Sequence, residues 1–150
     1  MSGGAQRQAN CFFIAMPEKK TVQRARKAAR EGKAPSTQAG EFVREEIEHV
    51  RQGKHGARSP KQAIAIGLSK ARRAGVPLKP PEKGRTSEAT RKRAERDLEK
   101  GKSPSKQAPS KKQSQARLEV LKREPRKSVS KQALSKQARE AAARRKSKAA

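Results

Sequence analysis

The chain of 150 residues has no tryptophan, no tyrosine and only three phenylalanines, Phe12, Phe13 and Phe42. It therefore lacks the aromatic platforms on which single-strand and RNA-binding modules stack bases. Large aliphatic side chains are scarce too. Ile, Leu, Val and Phe together number 19, about 13% of the chain. So little apolar surface combined with high net charge argues against a large core and against an enzyme with a preorganised pocket. No catalytic residue and no cofactor are expected. The single cysteine, Cys11, excludes an intramolecular disulfide. The longest run of large apolar residues, Cys11 to Met16, is too short for a membrane span or a secretory signal, so no membrane partner is expected. The only histidines, His49 and His55, have no third ligand beside them in sequence and read as surface side chains, so no metal is expected either. Glu45 and Glu46 read as helix surface, because adjacent helical residues point in different directions. The ten glycines are scattered as helix stops and form no phosphate-cradling loop.

What the sequence has is positive charge. Forty Lys and Arg face fourteen Asp and Glu, a net +26. The excess is +6 over residues 1–40, +5 over 41–80 and +15 over 81–150, whereas ten of the nineteen large apolar residues lie between Val22 and Leu78. The chain thus divides near Pro77, Pro80 and Pro81. Residues 1–15 read as a disordered leader, or as a gene-prediction extension ahead of a start at Met16. Residues 16–81 read as a small helical module, and 82–150 as a basic low-complexity tail of disordered segments or solvated helices. The expected fold class is mostly α with extensive disorder: a helical hairpin or three-helix module over about 17–75, followed by isolated helices and loops.

Within the module, Pro17 to Arg30 reads as a weak basic helix stopped by Gly32. Ser36 to Gly53 reads as a second helix, capped by Ser36 or Thr37, with Phe42, Val43, Ile47 and Val50 on its apolar stripe and Gly53 as its left-handed end. Its acidic side chains predict pairing with a basic neighbour or a docking face for a protein. The third helix has the clearest signals. Ser59 is the N-cap, Pro60 the first helical residue and Gln62 the capping-box partner. Arg72 and Arg73 oppose the dipole in the last turn, before Gly75 and Pro77. Ile64, Leu68 and Ala71 form its expected packing stripe, with Gly67 as a close-approach notch. Two such helices alone bury too little to be stable, so a third helix, self-association or a partner must complete the module.

The segment Lys61 to Gly75, K-Q-A-I-A-I-G-L-S-K-A-R-R-A-G, is the centre of a longer stretch, Lys19 to Gly75. That stretch resembles a small bacterial family, domain of unknown function 6496. The resemblance implies a bacterial origin and a start near Met16. It implies no activity and no site residue.

In the tail, Ser87 to Lys100 (ending at Gly101), Lys111 to Glu124 and Ser130 to Lys148 read as solvated helices without a core. A degenerate repeat joins the two halves: Lys33–Ala39, Arg58–Ala63, Lys102–Ala108 and Lys127–Ala133, echoed at Ser135–Ala138. It serves as a helix-capping unit, and its Ser-Pro-Lys turns also suit phosphate contact. Candidate phosphate-contacting residues are Lys61, Lys70, Arg72, Arg73, Lys102, Lys106, Lys111, Lys112, Lys127, Lys131, Arg144, Arg145 and Lys146. The expected function is sequence-tolerant binding of nucleic acid, duplex DNA above all, by a histone-like tail. The alternative is a protein-interaction module whose tail gives solubility or tethers it to RNA or ribosomes. The expected location is the cytoplasm, at the nucleoid if DNA is the partner.

Overall fold

A computed structural model describes residues 16–103 and 110–149. The expected leader, and the third repeat unit beyond Ser103, Lys106 included, lie outside the described residues. The elements in order are α1 (Lys19–Arg30), α2 (Pro35–Arg51), α3 (Pro60–Arg73), α4 (Glu88–Lys102), α5 (Lys111–Lys122), a 3-10 turn (Lys127–Val129) and α6 (Lys131–Ala149). The described residues contain no strand, and the chain is a helical protein.

Local chemistry sets the helix ends. α1, α2 and α3 each stop on a glycine with positive φ: Gly32 at 72°, Gly53 at 75° and Gly75 at 98°. Each glycine closes the same pair of hydrogen bonds, as in Val76 N–H to the Ala71 carbonyl at 3.1 Å and Gly75 N–H to the Arg72 carbonyl at 3.0 Å. This Schellman arrangement satisfies carbonyls that the helix leaves unpaired. Helix starts use serine. Ser59, Ser87, Ser110 and Ser130 accept the backbone N–H groups of Gln62, Thr90, Gln113 and Ala133. The Arg58 and Lys127 repeat units therefore act as caps. The start of α2 differs from expectation: Pro35 takes the first helical position after Ala34, and neither Ser36 nor Thr37 caps it. Proline supplies the helical φ there and has no N–H to satisfy.

α2 and α3 form the expected hairpin, and α1 completes it. Ala25 of α1, Ala39 and Phe42 of α2, Ala71 of α3 and Val76 beyond it make one core cluster, edged by Val22, Leu68, Ala74 and Leu78. The face α3 turns inward is rotated from the expected stripe. Ala63, Gly67, Lys70 and Ala71 are buried, whereas Ile64 and Leu68 are half-buried. The reason is the notch at Gly67, where a Cβ would lie 2.6 Å from the Val43 Cα. Small residues occupy the crossing so that the backbones can approach, and the larger side chains flank it. On α2 the same rotation buries Phe42, Glu45, Glu46, His49 and Val50, leaving Val43 and Ile47 half-buried.

The region beyond Pro81 also departs from expectation, because it contributes to the packing. Ala94, Leu118 and Val129 are buried, and Val129 joins Val50, Ala57 and Ala63 in a second core cluster. The α2–α3 loop is the docking point. Gly56 N–H donates to the Leu121 carbonyl at 2.8 Å and Ala57 N–H to the Pro125 carbonyl at 3.2 Å. α4 packs on α3, where Ser69 Oγ donates to Asp97 Oδ2 at 2.6 Å. Gly101 lies inside α4 and does not end it; a Cβ there would collide with the Arg72 carbonyl oxygen.

Candidate nucleic-acid interface and a buried ionic centre

The rotation of α2 brings a set of ionisable side chains into the interior. Glu46 is fully buried at the centre, in contact with the Lys70 ammonium of α3, which also lies 3.4 Å from Glu45. Glu46 Oε2 is 3.3 Å from His55 Nε2, and Glu46 Oε1 is 3.6 Å from His49 Nδ1. His49 Nε2 lies 3.1 Å from Glu18 Oε1, which also accepts from Lys54 Nζ at 3.3 Å. Glu45 Oε2 accepts the Glu18 backbone N–H at 3.1 Å, so the entry into α1 is tied to α2. His55 Nδ1 donates to the Gly56 carbonyl at 2.9 Å. The two imidazoles meet edge to face, with centroids 6.2 Å apart.

Two expectations are corrected here. His49 and His55 are 2% and 1% exposed, not surface side chains. Glu45 and Glu46 are both buried, since a wide inward stripe on α2 holds neighbours only about 100° apart. The acidic side of α2 meets basic neighbours, as one of the two readings required. Burial opposes ionisation of Glu46, yet the nearness of His49, His55 and Lys70 outweighs it and holds the carboxyl well below the usual carboxylate range. The His49 hydrogen bond does the same for Glu18, against its partial desolvation and with help from Lys54.

The candidate phosphate contacts divide into two groups. Lys70 is 1% exposed and committed to Glu45 and Glu46, so it cannot reach a phosphate. Arg72 is buried and donates to the Leu78 and Lys79 carbonyls, holding the chain that leaves α3; burial lowers its pKa, with Asp97 opposing. Arg73 is half-buried and lies 3.5 Å from Asp97. The terminal turn of α3 is thus structural, and the sequence hid this because Glu45, Glu46 and Asp97 are distant in the chain. Lys61, Lys102, Lys111, Lys112, Lys127, Lys131, Arg144, Arg145 and Lys146 are exposed. Arg144 lies 3.9 Å from Glu140 in an open i,i+4 pair. α1 adds a basic surface outside the original candidates: Lys19, Lys20, Arg24, Arg26, Lys27 and Arg30 are all exposed on a helix with no acid. Its composition was the signal that could have found it.

On the opposite question, that of an apolar docking face, Phe42, Val50 and Ala71 are inside the fold, and Val43, Ile47, Ile64 and Leu68 are half-buried around them. These residues serve as the packing face. No described helix is long and apolar enough to cross a membrane. No family model, no curated protein and no solved structure matches the chain.

Proposed function

We propose that the protein is a non-catalytic, sequence-tolerant nucleic-acid binder that engages duplex backbone through α6, the exposed lysines before it and the cationic surface of α1. The observation that carries this reading is α6 itself. It holds seven Lys and Arg against one acid, Glu140, and contributes no buried side chain among those described. A helix so unevenly charged, with no described side chain fully buried, gains little from a core. Its cations repel one another until a polyanion neutralises them. The fold adds a rigid base, since the segment joining α5 to α6 is anchored at Val129. Absence of any described Trp or Tyr favours phosphate contact over base stacking. Membership of the bacterial family that Lys61–Gly75 resembles, and a place at the nucleoid, belong to the same proposal. A protein-docking role draws less support, because the apolar side chains it would use pack against one another.

The test is electrophoretic mobility shift of the full chain on random-sequence duplex DNA and on single-stranded DNA of equal length. Retardation of duplex at low salt, lost as salt rises and indifferent to sequence, is expected. A chain that leaves both nucleic acids unshifted at low salt is not a nucleic-acid binder.

A further inference from the structure

The cluster around Glu46 has a chemistry that its ion pairs do not explain. A carbonyl or a carboxylate can only accept a hydrogen bond, so His55 Nδ1, beside the Gly56 carbonyl, carries a proton, as does His49 Nε2 beside Glu18. In neutral imidazoles the opposite nitrogens, His55 Nε2 and His49 Nδ1, then present lone pairs. Both face the Glu46 carboxylate, at 3.3 and 3.6 Å. Lone pairs aimed at an anion in a buried site call for a cation between them. The charge count agrees. Among the ion pairs of the described residues, Glu18, Glu45 and Glu46 face Lys54 and Lys70, one positive charge fewer when the imidazoles are neutral.

An extra proton on His55 would supply that charge, but its signature is a short aligned bond of about 2.7–2.9 Å. His55 Nε2 and Glu46 Oε2 are instead 3.3 Å apart, and neither has a hydrogen-bond partner among the described residues. That separation is the edge of a different polyhedron. Metal–ligand bonds of about 2.0–2.1 Å place neighbouring ligands of tetrahedral zinc about 3.3–3.4 Å apart. One ligand atom from each of Glu46, His49 and His55 lies within 4.8 Å of the others, and all three residues are buried. Each histidine is also oriented by an oxygen at its remote nitrogen, the outer arrangement that metal-bound imidazole uses. Lys70 occupies Glu46 Oε1 and leaves Oε2 to the metal.

We propose that Glu46, His49 and His55 form a binding site for a borderline divalent transition metal, zinc by its donor set. The metal supplies the positive charge that neutral imidazoles do not and leaves a fourth position for water. A polar groove of about 440 Å³, lined by residues that include His55, Gly56, Lys122, Glu124 and Arg126, lies beside the site. The metal would thus sit where the C-terminal segment docks on the module.

The experiment titrates zinc, and cobalt as a spectroscopic substitute, into the full chain carrying Cys11→Ser, which removes the one thiol as a competing ligand. Uptake of one metal per chain, a rise in melting temperature and visible bands of tetrahedral cobalt are expected. His55→Ala should abolish the cobalt bands. Glu18→Gln, at a half-buried position that orients His49 without being a ligand, should weaken affinity by roughly tenfold to a hundredfold. Nitrogen-15 spectra of the imidazoles keep the test decisive should His55→Ala unfold: zinc should shift His55 Nε2 and His49 Nδ1 while their remote nitrogens stay protonated. Failure to take up zinc saturably, unchanged affinity in folded His55→Ala, or a His55 ring protonated on both nitrogens and indifferent to zinc would each overturn the site.

Discussion

Gly67 and Glu46 show how much rests on single positions in so small a core. At Gly67 a methyl group would meet Val43 backbone atoms, N at 2.9 Å and Cα at 2.6 Å, which cannot swing aside as a side-chain tip would. Overpacking of this kind costs about 1–3 kcal/mol. The better helix propensity of alanine returns about 1 kcal/mol. Gly67→Ala should therefore lower the unfolding free energy by on the order of 1 kcal/mol, read from urea denaturation; a stabilised variant would mean the helices do not cross at that point. Glu46 and Glu18 make the fold acid-sensitive. Both are held below the ordinary carboxylate value of 4.5, so below that pH the unfolded chain binds more protons than the folded one. Their contribution is present in full above 4.5 and lost as pH falls through the depressed values. Without added metal, the urea midpoint should fall as the pH drops below 4.5. A midpoint that rises on acidification would contradict the pairing.

At the scale of elements, the C-terminal segment is held by few contacts, which makes its docking separable from the rest. Val129 is completely buried against Val50, Ala57 and Ala63, and the Gly56 and Ala57 amides are bonded to Leu121 and Pro125. Val129→Asp places an unpaired charge in that contact. It should release the segment, with faster hydrogen exchange at Gly56 and Ala57 and little change at Ala25 or Ala28 in α1. Retained protection at both loop amides would show that Val129 is not the anchor. The same elements show what was legible in the sequence. Gly32, Gly53, Gly75, Ser59 and Pro60 marked helix ends correctly, because a cap depends only on residues within one turn of it. The burial of Val129, Leu118 and Ala94 was not legible: each stands nearly alone among polar residues, and its partners lie far away in the chain. The role of Lys70 was hidden for a related reason, since a lysine that finds a buried carboxylate has the same local sequence as one that faces water.

For the whole molecule, the charge of +26 is distributed between two kinds of cation. Lys70 and Arg72 are inside and hold the fold, whereas the described cations of α1 and α6 are exposed. Only the second kind can release counterions on binding a polyanion, by about 0.9 per phosphate neutralised on duplex DNA. Replacing Lys131, Lys136, Arg139, Arg144, Arg145 and Lys146 with glutamine should flatten the dependence of log affinity on log salt by up to roughly five, with helicity retained. An unchanged slope would move the interface away from α6.

The sequence by itself determined the helical class, most of the helix boundaries and the net charge of +26. These follow from composition and from interactions within a few residues. Only the tertiary structure decided which faces turn inward. The close crossing at Gly67 rotated α2 and α3 so that Glu46, His49, His55 and Lys70 converge in the interior while Ile64 and Leu68 flank it. That outcome depends on how near two backbones can come, a property of the pair of helices that neither sequence segment carries alone.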